Sequence, residues 1–224
     1  MRVLVVGGSP VGITPSRLRE IARTADKIVA VDRGFDYVCA AGLTCALFCG
    51  DADSVSETGA RLLEQQNAAH QLEVERYHVD KDYSDLHLAL DAVAQRWGSV
   101  ELVASAMSGG RPDHYLDVLG QLLRWPASVE LQEDHMCGRI LHPGEAWNMG
   151  RETGVASGDT FSFIALSPEA CVSLSGMQWE LNHRRCYLLE DVGLSNRVRN
   201  GSAELMCHEG RIACWLFPSS CGDE

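Results

Sequence analysis

The feature that most constrains this chain is the alternation of short apolar runs with amphipathic helical patterns over its first 125 residues. Residues 2–6, 27–31, 45–49, 72–79 and 100–106 each read as a buried strand. Helical spacing fills the intervals. It places Leu18, Ile21 and Ala22 on one face over 16–25, continues over 35–41 and 57–68, carries Leu86, Leu90, Val93 and Trp97, and ends over 115–125 with Leu116, Leu119 and Leu123 aligned. Strand–helix alternation of this kind predicts a mostly parallel sheet with helices on both sides. The pattern changes near Pro126. Beyond it come short alternating stretches at 128–132, 137–141, 160–166, 171–175, 185–189, 203–207 and 212–217, separated by turn residues, with no long helical pattern among them. That half reads as an all-β unit, a β-sandwich. The expected architecture is α/β followed by all-β, with domains at 1–135 and 136–224.

A chain of 224 residues that is 46% hydrophobic can bury one large core or two modest ones. No stretch has the apolar length needed to cross a bilayer. The start, Met1 to Gly8, enters a short apolar run and then glycines, which reads as a first strand rather than a signal peptide, so a cytoplasmic location is expected. The nine cysteines include no Cys-x-x-Cys pair. Buried free thiols fit them better than a zinc site. A net charge of −12 disfavours nucleic acid as a partner. An anionic nucleotide would need local help from a divalent cation and a few basic side chains, so the grouping of the acidic residues becomes the central question.

Four clusters fall at predicted strand ends, where open parallel sheets bind ligands. In Gly50-Asp51-Ala52-Asp53-Ser54, two carboxylates follow an apolar strand and a glycine; they would share a face if the strand continued. Side by side they repel unless a cation lies between them, although one Asp alone would suit a helix cap. In Asp80-Lys81-Asp82-Tyr83-Ser84-Asp85, the acids suit the start of a helix, yet three Asp and a Lys exceed what capping needs. Asp85 is a further candidate metal contact, and Lys81 could reach a phosphate. In Gly109-Gly110-Arg111-Pro112-Asp113-His114, the glycines allow close backbone approach, Pro112 suits a first helical turn, and Arg111 can clamp phosphate or pair with Asp113 to brace the loop. His114 reads as a structural neighbour. The fourth cluster, Gly7-Gly8-Ser9-Pro10-Val11-Gly12 with Asp32 downstream, echoes a dinucleotide fingerprint but has Ser9 where a glycine is required.

Together these clusters resemble the thiamin pyrophosphokinase family. Gly50–Ser54 is similar to its Gly-Asp-Phe-Asp-Ser, residues 80–85 to its acid-Lys-Asp-x-Thr-Asp, residues 109–114 to its Gly-Gly-Arg-x-Asp-His, and Asp32-Arg33-Gly34 to its Ala-Asp-Gly-Gly. In the second half, Ser173–Leu181 resembles the family's Gly-x-x-Trp/Tyr-x-Leu strand, and Gly193-Leu194-Ser195-Asn196 its Ser-Asn segment. Ala52 stands where the family has an aromatic residue, Arg33 where it has a glycine, and Ser84 where it has Thr. The resemblance implies an α/β catalytic domain, a thiamin-binding sandwich, and a homodimer whose thiamin sites lie between one chain's catalytic domain and the other's sandwich. It also implies a reaction: the thiamin hydroxyl attacks the β-phosphorus of ATP, giving thiamin diphosphate and AMP with Mg²⁺ as the metal.

On that basis Asp51, Asp53, Asp82 and Asp85 are the expected metal ligands. Asp32, Lys81, Gly110 and Arg111 are expected around ATP. Asp113 would orient Arg111 or a water, or accept the hydroxyl proton. Trp179, Ser195 and Asn196 would hold thiamin, with sandwich core as the other reading of Trp179. The rival functions are a catalytically inactive thiamin- or nucleotide-binding protein, a kinase that moves one phosphoryl group, and a nicotinamide-dependent oxidoreductase; the last leaves the carboxylate clusters unexplained.

Overall fold

The structure is a computed structural model, and residues 1–77 and 82–219 are described. The chain divides into two compact units, Met1–Asp134 and His135–Glu224. The first runs β1 (Arg2–Val6), α1 (Pro15–Ala22), β2 (Lys27–Val31), α2 (Gly34–Ala40), β3 (Leu47–Gly50), α3 (Glu57–Ala68), β4 (Glu73–Arg76), α4 (Asp85–Trp97), β5 (Glu101–Ser105), α5 (Pro112–Arg124) and β6 (Val129–Gln132). Within this unit the strand order is β6-β5-β1-β2-β3-β4. Every pairing is parallel. The central strands carry side chains buried on both faces, as a parallel sheet covered by helices requires, with Val3 to Val6 fully buried.

The helices start where short polar side chains can cap them. Thr14, Ser56 and Ser84 accept from backbone N–H groups in the first turns of α1, α3 and α4. The last helix differs: α5 opens on Pro112 with Arg111 at its N-cap and no side-chain capping bond. Its apolar face also departs from the sequence reading. Leu119 and Leu122 are buried, whereas Leu116 is 63% exposed. The helix begins at Pro112 rather than Tyr115, and its covered side runs through 115, 118, 119 and 122, so Leu116 falls on the flank.

Residues 128–132 read from sequence as part of the all-β half, but β6 joins the parallel sheet beside β5. The helical crossover α5 supplies the long connection that parallel pairing needs.

The second unit is a sandwich of two antiparallel sheets. It contains β7 (Cys137–Leu141), β8 (Ala146–Asn148), α6 (Met149–Glu152), β9 (Thr160–Ala165), β10 (Glu169–Ser175), β11 (Leu181–Tyr187), a 3₁₀ turn at Asp191–Gly193, β12 (Asn196–Arg197), β13 (Glu204–Glu209) and β14 (Ile212–Phe217). One sheet is ordered β12-β9-β14-β7 and the other β11-β10-β13-β8. Trp147, Phe161, Phe163, Val172, Leu174, Leu205 and Leu216 fill the space between them. The strand expected at 185–189 lies earlier, at Leu181–Tyr187, because the chain turns through Leu189 with a positive φ of 58°.

The eight cysteines among the described residues are free thiols. Burial is the leading cause that pushes the Cys45 and Cys49 thiols up to about 12, consistent with unreactive core positions. No helix among the described residues is long and apolar enough to cross a membrane.

Candidate active site

The parallel sheet grows in two directions from β1. Strands β2, β3 and β4 extend it on one side, and β5 and β6 on the other. The carboxyl ends of β1 and β5 therefore feed connections that diverge to opposite sides, and such a switch point leaves a crevice at the strand ends. A cavity of about 750 Å³ occupies it, lined from the β1, β2, β3 and β5 ends and the starts of α4 and α5. Asp32, Asp51, Asp53, Asp85, Arg111 and Asp113 all line this one cleft.

The acidic side is built by a turn rather than a continued strand. β3 ends at Gly50, Asp51 Oδ1 accepts the Asp53 N–H at 3.1 Å, and Ala52 takes a left-handed φ of 66°. The two carboxylates reach the cleft through this tight turn, not through the shared strand face expected from their spacing. Gly50 is required for a separate reason. Its φ is 145°, and a Cβ there would stand 1.8 Å from Asp32 Oδ1. Asp32 itself is left-handed, with φ 47°, and its N–H donates to the Cys49 carbonyl at 3.1 Å. Partial burial, then the neighbouring Asp51 and Asp85 carboxylates, hold the Asp53 pKa above its ordinary value.

Asp85, the first residue of α4, lines the cleft directly after its cap Ser84. Asp82 is exposed and is not among the cleft-lining residues. Lys81 lies outside the described residues.

On the β5 side, Arg111 Nε and Nη2 donate to Asp113 Oδ1 and Oδ2 at 3.1 and 2.6 Å, a fork-to-fork pair at the start of α5. The hydrogen bond from Arg111 is the leading cause that pulls the Asp113 carboxyl down to about 2. A carboxylate so stabilised is a poor proton acceptor, which favours Asp113 as the orienter of Arg111 over the other roles open to it in the sequence. Gly110 has φ 73°, and a Cβ there would stand 2.8 Å from Pro10 Cγ; it packs against the β1 loop and is not itself cleft-lining.

Sequence reasoning missed Glu133. Its side chain is buried, 2% exposed, and accepts the N–H groups of Ala106, Met107 and Ser108 at 2.9, 2.8 and 3.1 Å. Burial pushes its carboxyl up, and these backbone donors pull the other way. Three successive N–H groups at a strand end form a concavity suited to an anion. Here the protein's own carboxylate fills it and fixes the loop that leads to Arg111. Nothing in the local sequence marks Glu133, since its partners lie 25 to 27 residues away.

The three residues expected at thiamin lie together in the second unit. Trp179 is 57% exposed, so it is not sandwich core. Asn196 is 4% exposed. Its Oδ1 accepts the Trp179 N–H at 3.1 Å, and its Nδ2 donates to the Trp179 carbonyl at 2.7 Å. Ser195 has a left-handed φ of 54°, and its N–H donates to Ser162 Oγ at 3.0 Å. Asn196 thus holds the loop that presents the Trp179 ring.

The Asp51, Asp53 and Asp85 carboxylates in the cleft are hard oxygen donors and fit Mg²⁺ in kind. Among the described residues no group of three or more His, Cys, Asp or Glu is gathered tightly enough to hold a metal ion by itself. That also suits Mg²⁺, which is commonly held through one or two carboxylates, with water and substrate phosphate completing its shell.

Fold and cleft define a class: an α/β unit with a carboxylate-lined crevice at its switch point, followed by a β-sandwich. The model of the thiamin pyrophosphokinase catalytic domain matches residues 18–132, and that of the thiamin pyrophosphokinase vitamin B1 binding domain matches residues 149–212, the span that holds Trp179, Ser195 and Asn196. The chain belongs to the thiamin pyrophosphokinase family.

No curated protein sequence matches it. Among solved structures, thiamine pyrophosphokinase from Bacillus subtilis is similar at 22% identity with a TM-score of 0.79, covering 98% of this chain and 100% of that one. The Geobacillus thermodenitrificans thiamin pyrophosphokinase gives 23%, 0.77, 99% and 100%. Yeast thiamin pyrophosphokinase gives 13%, 0.71, 96% and 86%. At these identities the likeness is one of fold.

Proposed function

We propose that this protein transfers the pyrophosphoryl group of ATP to the hydroxyl of thiamin, releasing AMP. The observation that carries the reading is the gathering of Asp51, Asp53, Asp85 and Arg111 around one cleft at the switch point of the sheet. The thiamin oxygen forms a bond to the β-phosphorus, the bond from that phosphorus to the oxygen shared with the α-phosphorus breaks, and the hydroxyl proton leaves to solvent or a base. Such transfers depend on alignment and charge neutralisation more than on covalent help from the protein.

Asp51, Asp53 and Asp85 would hold Mg²⁺, which when bound offsets negative charge on the phosphate oxygens. Arg111, oriented by Asp113, presents its remaining N–H groups to phosphate. In the sandwich, the exposed Trp179 ring gives the cationic thiazolium an aromatic face. We read the protein as a homodimer as well. Exposed Tyr187, Leu188, Leu189 and Leu194 support this by giving the sandwich an apolar surface suited to a second copy of the chain.

A phosphorus NMR time course with ATP, Mg²⁺ and thiamin tests the reading. AMP and thiamin diphosphate should appear together and only with metal present. ADP with thiamin monophosphate would instead identify a single-phosphoryl kinase, and no turnover with thiamin still bound would identify a binding protein.

A further inference from the structure

Among the described residues, six carboxylates line the cleft, those of Asp32, Asp51, Asp53, Asp85, Asp113 and Asp117, against two arginines, Arg33 and Arg111. A polyphosphate entering so acidic a crevice needs cations with charge to give. Arg111 shares its charge with Asp113 through a bidentate pair.

Arg33 is held differently. Its backbone N–H donates to Ser54 Oγ at 3.2 Å and its Nε to the Ser54 carbonyl at 3.4 Å. A carbonyl orients a guanidinium without neutralising it. Among the described residues Arg33 has no ion-pair partner, and its two Nη nitrogens meet no acceptor.

The position suits a ligand contact. Arg33 is half-buried at the N-cap of α2, a fixed point of the fold, and its side chain lines the cleft. On one side is the β1 loop, where a Cβ on Gly8 would stand 3.4 Å from Arg33 Cβ; on the other is the turn that carries Asp51 and Asp53. A planar guanidinium with two Nη groups to offer matches the paired oxygens of a phosphate. By its sequence Arg33 registers only as a departure from a glycine.

We infer that Arg33 is a phosphate-clamping residue of this cleft, taking oxygens of the polyphosphate chain of a nucleoside di- or triphosphate. The inference rests on the nucleotide reading above and deepens it by naming a further cation that meets the phosphates. It also separates the two arginines: Arg111 acts as one half of an oriented pair, and Arg33 as a charge with no ion-pair partner among the described residues.

The test is calorimetric titration of the wild-type protein, Arg33→Ala and Arg33→Lys with ADP and with AMP, with and without Mg²⁺, beside melting temperatures. Arg33→Ala should weaken ADP about tenfold or more, the loss expected for one charge-assisted phosphate contact. AMP should change far less, Arg33→Lys should fall between, and melting should be nearly unchanged. Equal ADP affinity in Arg33→Ala and wild type overturns the inference. So does an equal weakening of ADP and AMP that tracks a lowered melting temperature, which would make Arg33 only a brace for Ser54, and so does a wild-type protein that fails to bind ADP. Production of AMP from ATP and thiamin by the wild type is followed in parallel; its absence sinks the pyrophosphoryl-transfer reading while the ADP titration still decides the role of Arg33.

Discussion

The Asn196 side-chain amide closes on both backbone polar groups of Trp179, accepting its N–H and donating to its carbonyl. Because Asn196 is buried and Trp179 exposed, the pair fixes an aromatic ring at the surface of the sandwich from below. Asn196→Ala removes both bonds and leaves part-buried backbone groups without these partners, which should cost about 1 kcal/mol or more of stability. The loosened ring should raise KM for thiamin while KM for ATP stays near wild type. Steady-state kinetics with each substrate varied in turn, beside a denaturant melt, checks both parts. A stability loss with unchanged thiamin KM would mean that Trp179 serves the loop and not the ligand.

Gly50 and Asp32 make a similar pair in the first unit. The carboxylate occupies the space that any side chain at residue 50 would need, and the glycine φ of 145° is one that other residues rarely adopt. Gly50→Ala should therefore displace Asp32, strain the turn to Asp51 and Asp53, and destabilise the unit by ~1–3 kcal/mol. Turnover should fall far more than the folded fraction does. Activity per folded molecule, with folding followed by circular dichroism, measures the difference.

Asp51, Asp53 and Asp85 repel one another, and the Asp53 pKa is raised first by desolvation and then by that repulsion. Removing one of these charges should therefore not harm the fold. Asp53→Asn is expected to melt at or slightly above the wild-type temperature while losing at least ~10²-fold in turnover, the scale on which a charge-stabilising contact is lost. Chelation of divalent metal should produce the same loss in the wild-type protein and be reversed by added Mg²⁺. Near-normal turnover in Asp53→Asn would remove this residue from the metal assignment.

What the sequence disclosed and what it hid follow from the range of the forces involved. Asp51, Asp53, Asp85 and Arg111 were legible because each stands at the end of an apolar strand or the start of a helix, and a parallel sheet brings such ends together whatever the details of packing. The turn at Ala52 was not legible, since a left-handed alanine has no local signature. Glu133 was hidden because its three donors come from the β5 loop, distant in sequence. The alternation at 128–132 alone reads as sandwich because a short alternating strand looks the same in either sheet, and only the crossover through α5 decides its partner. β8 and β12, of three and two residues, are too short to carry a period.

Glu133 gives a prediction of its own. Its carboxylate gathers the N–H groups of Ala106, Met107 and Ser108, and Ala106 takes a left-handed φ of 54° to present them. Glu133→Ala would orphan three donors and should destabilise the protein by ~1–3 kcal/mol or more. Glu133→Gln keeps one acceptor but turns an amide N–H₂ toward backbone donors, so its cost should be intermediate. Both should raise KM for the nucleotide, because the loop they loosen runs directly to Arg111. Denaturant melts, with nucleotide KM measured below the onset of unfolding, separate the two effects.

Arg111 and Asp113 settle which pH dependence is expected. With its folded pKa depressed to about 2 by Arg111, Asp113 stays ionised at every pH at which the enzyme would be assayed. Its folded pKa lies below the ordinary carboxylate value, so the pairing with Arg111 is fully present above that ordinary value and is lost only as pH falls through about 2. No limb of a rate profile between about pH 5 and 9 should therefore belong to Asp113, given the ordinary carboxylate range. Asp113→Asn should lower kcat/KM for ATP, since Arg111 loses its orienting partner, yet its pH profile should overlay the wild-type profile in shape. If an acidic limb present in the wild type vanished in Asp113→Asn, Asp113 would be the proton acceptor after all, and Arg111 would have to be positioned by something other than this pair.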